Sequence, residues 1–130
     1  MTNENGPGRT VTRILFIIGV VLVAGGFGHS FGVIRLYLAS GVPDANRVLL
    51  DVWIAEAQLI AGGLYLAAAR ASRAGSSWRA LSVAGAVTIA AFAVPMLPVV
   101  VARAPFVFRV PPMVYLAWSL YILLRAVRPA

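Results

Sequence analysis

The residues able to do chemistry in this chain are few, and most lie inside apolar runs. The stretch GGFGHSFGVIRLY, Gly25 to Tyr37, carries the sole histidine, His29, and Arg35 six residues later. A second apolar run carries Asp51, Glu56 and Gln58. A histidine facing a glutamate can hold and pass a proton, so this pair points to a ligand or proton site with acid–base work, to a polar clamp between helices, or to plain solvent or headgroup exposure. A charge near a bilayer centre costs at least about 3 kcal/mol on insertion scales, which makes pairing or a cavity the expected solution.

Register brings these groups to equal depths. If the first two apolar segments form an antiparallel hairpin turning near residue 43, with the same rise in both helices, His29 falls opposite Glu56. Arg35 then falls opposite Asp51. Gly25, His29 and Gly32 share one face of the first helix, and Glu56, Ile60, Gly63 and Ala67 share one face of the second. Small residues let membrane helices approach closely, so these two stripes are expected to meet with the polar pair between them. Tyr115, Trp118 and Ser119 of the last apolar segment fall at similar depth, beside a third segment bent by Pro95 and Pro98. The expected ligand-binding set is therefore His29, Arg35, Asp51, Glu56, Gln58, Tyr115, Trp118 and Ser119, lining a cavity open toward the outer leaflet. Any catalytic role would fall to His29 and Glu56.

The elements that must position these residues follow from composition. Of 130 residues, 61% are hydrophobic and 12% charged, against roughly a quarter charged in soluble domains. Four apolar segments, at about 12–38, 47–69, 78–101 and 110–127, read as membrane spans. Residues 1–9 are polar, with Gly and Pro, and read as a disordered tail before a membrane domain over 10–130. The first segment is too long for the apolar core of a cleaved signal peptide and lacks a clear cleavage site, so it is kept as a span. Short Gly-, Ser- and Pro-bearing connections make each helix antiparallel to the one before. The fold class is an all-α, four-helix antiparallel transmembrane bundle.

Charge sets the orientation. The side holding both termini and the 71–77 loop carries seven arginines, and the opposite side carries Arg35, Arg47, Arg103 and Arg109. By the positive-inside rule both termini are cytoplasmic, which implies a multi-pass protein of the cytoplasmic (bacterial inner) membrane. The net charge of +7 is absorbed by these flanks, so no nucleic-acid partner is expected. Trp53, Trp78, Tyr37 and Tyr121 lie near span ends and read as interfacial anchors. There is no cysteine, and one histidine with scattered carboxylates makes no clear metal set. Metal sites and cofactors are therefore not expected. No GxSxG, HExxH or phosphate-loop motif is present.

The order of a Gly-rich first span, the turn SGVPDAN, and VWIAEAQLIAGGLYLAAAR with Glu56 before Gly62-Gly63 resembles the DoxX-like group of small four-helix bacterial membrane proteins. The likeness covers about residues 14–95, with His-Ser where a Gly-Lys pattern is more usual. The resemblance implies a four-helix bundle and association with membrane redox or quinone-linked partners. It transfers no catalytic residue.

Three functional expectations follow. The first is a non-enzymatic membrane protein, binding a small hydrophobic or amphipathic molecule or lipid, or serving as an accessory subunit in a homo-oligomer or with a membrane partner. The second is a dimeric transporter exchanging a proton on Glu56 for a cationic or amphipathic substrate. The third is an intramembrane enzyme using His29 and Glu56.

Overall fold

The computed structural model describes residues 9–40, 45–74, 77–103 and 106–127. They form four helices: α1 (Arg9–Ser40), α2 (Ala45–Arg73), α3 (Trp78–Arg103) and α4 (Phe106–Val127). Three stretches are long and apolar enough to cross a membrane: Arg9–Gly32, Val52–Arg73 and Trp78–Pro95. Pro112–Val127 is a shorter apolar helix. The expected tail 1–9 lies outside the described residues up to position 8, and α1 already begins at Arg9.

Local sequence accounts for the helix ends. The Ala74 amide donates to the Arg70 and Ala71 carbonyls at 3.2 and 3.1 Å, closing the last turn of α2. Arg70 and Arg73 in that turn oppose the negative end of the helix dipole. Ser77, a residue type that favours the N-cap, stands directly before α3. Pro95 and Pro98 lie inside α3, which continues past them to Arg103. Each lacks an N–H, so the carbonyls of Ala91 and Val94, four residues earlier, lose their usual helical donors.

Each helix packs on the next in chain order, α1 on α2, α2 on α3 and α3 on α4. Val11, Leu15, Ile18 and Leu22, spaced four, three and four apart, give α1 one buried face. They meet Ala61, Tyr65, Ala68 and Ala69 of α2, Trp78, Ala86 and Ile89 of α3, and Ile122 and Ala126 of α4. Trp78, expected as an interfacial anchor, is instead a core residue with the Arg79 guanidinium 5.8 Å from its ring centre.

Close approach of α1 and α2 depends on glycine. A Cβ placed on Gly19, Gly26 or Gly62 would come within 3.0 Å of atoms on the other helix. Gly26 faces Leu59 and Ala55, Gly19 faces Leu66 and Gly62, and Gly62 faces Val23. These are the levels a turn near residue 43 requires. The faces differ from the expected ones. Among the described residues Gly32 and Gly63 have nothing within 4 Å of an added Cβ, so the Gly25/His29/Gly32 and Glu56/Ile60/Gly63/Ala67 stripes do not meet along their length, although Gly25 faces Gln58. Gly85 of α3 similarly makes room for the Tyr65 ring.

Among the described residues the bundle is packed closed at one end and open toward the other. The closed end holds the start of α1, the α2–α3 connection and the end of α4. There Ser72 donates to the Ala69 carbonyl at 2.8 Å, leaving its oxygen to accept from Thr12 at 3.0 Å. Arg73 lies 5.8 Å from the centre of the Phe16 ring. Toward the other end burial stops: no described residue of α1 beyond Gly26 is buried, and Phe27 and Leu38 are 64% and 77% exposed. Among the described side chains of α4 the first buried one is Ser119.

Candidate functional site

A polar cluster sits where the packing ends. Gln58 of α2 is 5% exposed, and its buried carboxamide oxygen has no hydrogen-bond partner among the described residues. The side chain reaches toward α1 because Gly25 leaves space: a Cβ there would lie 3.2 Å from the Gln58 oxygen. The Tyr115 hydroxyl of α4 lies beside the Gln58 carboxamide. One turn along α4, the Ser119 hydroxyl stands 3.5 Å from the Tyr65 hydroxyl of α2, a long contact. The Trp118 ring, partly buried against the core, lies 6.3 Å from the Tyr115 ring. Gln58, Tyr115, Trp118 and Ser119 of the expected set are thus gathered, with Tyr65 added.

Tyr65 was not expected. It lies seven residues past Gln58, two helical turns on the same face, and that spacing was the available signal. The cluster holds hydroxyls, a carboxamide and no charge. Its unmet need is a donor for the Gln58 oxygen, since an acceptor buried without a partner costs about 1–3 kcal/mol.

The ionisable residues are placed differently. His29 is exposed. It lies seven residues beyond Leu22, so it continues the buried stripe of α1 into the open end, where no described partner covers it. Glu56 is exposed as well, and lines a groove between α2 and α3 of which His29 is no part. Among the described residues no ion pair or hydrogen bond joins them. The depth match holds, but the two side chains leave the α1–α2 contact on different faces. Arg35 is exposed, and the Asp51 side chain lies outside the described residues, so the Arg35–Asp51 pairing does too. Ser30, beside the histidine, donates to the Gly26 carbonyl of its own helix at 2.9 Å. Among the described residues no group of three or more His, Cys, Asp or Glu stands together to hold a metal.

The α2–α3 groove has a volume of about 380 Å³ and is lined by Trp53, Glu56, Ala57 and Ile60 of α2 and Val87, Thr88, Ala91 and Phe92 of α3. Trp53 and Phe92 meet edge to face, with ring centres 6.1 Å apart. Trp53 thus does more than the interfacial anchoring its position suggests.

No family model, curated protein or solved structure matches the chain.

Proposed function

We propose that this chain is a four-span, non-enzymatic membrane protein that binds a small amphipathic molecule at the Gln58–Tyr115 cluster. Three long apolar helices and a shorter fourth support the span count, and Arg125 in the last turn of α4 can snorkel to the interface. Seven arginines on the side of both termini, against four on the other, support a cytoplasmic placement of the termini in a bacterial inner membrane.

The observation that carries the reading is the Gln58 carboxamide oxygen, buried and without a donor among the described residues. Binding pockets are mostly apolar with a few convergent polar groups, and the Tyr115, Trp118 and Ser119 side chains supply that mixture here. A ligand that brings a hydroxyl or N–H to the carboxamide oxygen and an apolar body to Trp118 answers both features.

The test uses 4-octylphenol as the probe and its methyl ether, which lacks the donor, as the control. The phenol is expected to raise the unfolding temperature of the purified protein in lipid nanodiscs, with at least tenfold weaker action by the ether. Gln58→Leu is expected to abolish the difference. Equal action of phenol and ether on the wild type would refute the reading.

A further inference from the structure

We propose that the groove between α2 and α3 is a second binding site, separate from the Gln58 cluster, for a primary ammonium group carried on an apolar chain. The groove offers hydrogen-bond acceptors and negative charge. Among the described residues Glu56 is its one ionisable lining side chain, and no basic side chain lines it. The Thr88 hydroxyl donates its proton to the Ala84 carbonyl at 2.9 Å, so toward the groove its oxygen acts as an acceptor. Ala91, one turn further along α3, also lines the groove, and Pro95 has removed the donor its carbonyl would meet in a regular helix. The carboxylate and the hydroxyl oxygen are two acceptors for a primary ammonium, which carries three donors.

The rest of the lining suits the rest of such a molecule. Trp53 and Phe92 offer aromatic rings, which attract a cation through their negative faces. Ala57, Ile60 and Val87 provide an apolar wall for an alkyl chain. Glu56 stands four residues inside the apolar stretch Val52–Arg73, roughly 6 Å along the helix axis. A lone carboxylate is costly there, and a bound cation offsets that cost. An anion would meet Glu56 and a further acceptor, and a neutral alcohol could satisfy one acceptor without balancing the charge.

The experiment measures binding of dodecylammonium to the full chain in phosphatidylcholine nanodiscs by titration calorimetry. Dodecanol and dodecanoate are the controls. Dodecylammonium is expected to bind at least tenfold more tightly than either. Glu56→Gln, an isosteric change at an exposed position, is expected to weaken ammonium binding at least tenfold while leaving the 4-octylphenol response intact. Thr88→Val is expected to weaken it several-fold. Nanodiscs containing phosphatidylethanolamine separate the source of the ammonium: competition identifies the lipid headgroup as the occupant, and unchanged binding identifies a free amine. Equal affinity for dodecanol and dodecylammonium would overturn the proposal, as would a Glu56→Gln variant that binds the ammonium like the wild type. Loss of the octylphenol response in Gln58→Leu bears on the other site alone.

Discussion

Gly62 and Gly63 are neighbours in sequence, and a single methyl group should affect them in opposite directions. At Gly62 an added Cβ would lie 2.8 Å from Val23 Cγ2, 2.9 Å from the Gly19 carbonyl oxygen and 2.9 Å from the Val23 amide nitrogen. Two of those three atoms are backbone, so a rotamer change cannot relieve the clash. Comfortable contact between heavy atoms begins near 3.5 Å, so α1 and α2 must separate by roughly 0.5 Å, forfeiting part of every contact along their seam. Overpacking of this kind costs about 1–3 kcal/mol, and replacing glycine by alanine within a helix returns up to about 1 kcal/mol. Gly62→Ala is therefore expected to destabilise by about 1–2 kcal/mol. At Gly63 an added Cβ meets nothing within 4 Å, so Gly63→Ala keeps only the favourable helix term. The two variants should differ by about 2 kcal/mol, with wild type between them. Thermal unfolding followed by circular dichroism in one detergent reads the order directly. A Gly62→Ala variant as stable as Gly63→Ala would refute the packing of α1 on α2 through this face.

Further variants probe the polar residues. Gln58→Leu in the absence of ligand should leave the melting temperature unchanged or raise it, because it removes a buried acceptor worth about 1–3 kcal/mol when unsatisfied; a clear loss of thermal stability would show the carboxamide to be satisfied in the protein. His29→Ala should change unfolding free energy by less than about 0.5 kcal/mol, as for other exposed positions; marked destabilisation in a denaturant titration would restore the clamp between helices. Ser119→Ala should cost under about 1 kcal/mol, since its contact with Tyr65 is 3.5 Å long. Thr12→Ala removes the hydroxyl that donates to Ser72 across α1 and α2, and should cost about 1 kcal/mol, read from the same unfolding curves.

The helices and their relative levels were legible in the sequence because apolar runs and punctuating loops survive any choice of helix face. A turn near residue 43 places Gly26 against Leu59 and Gly19 against Leu66, and the structure pairs them so. The phase of each helix was not legible. In a soluble bundle polarity marks the outside, but α1 is apolar all round, so Phe27 and Phe31 on its exposed side look like core residues in sequence. Five glycines between Gly19 and Gly32 offer two alternative small-residue stripes, and composition does not choose between them. That ambiguity moved His29 and Glu56 from a shared interior to separate faces. Gln58 was legible as a polar residue at the right depth, whereas its buried, unpartnered oxygen depends on Gly25 lying opposite, which only the three-dimensional arrangement reveals.

The one-sided distribution of packing gives the bundle a mechanical polarity. Leu15, Leu22, Tyr65, Ile89 and Ile122 clamp the helices at the closed end, while beyond Gly26 every described side chain of α1 except the partly buried Ser30 is exposed. Opening free energy should thus fall from near the global value at Leu15 toward zero past Gly26, and amide hydrogen exchange along α1 should trace that slope. The Gln58 cluster sits on the gradient's shoulder, anchored on one side and free on the other. A molecule arriving at the open end would reach it by parting helices that are already loosely held, and would leave the clamped end unmoved.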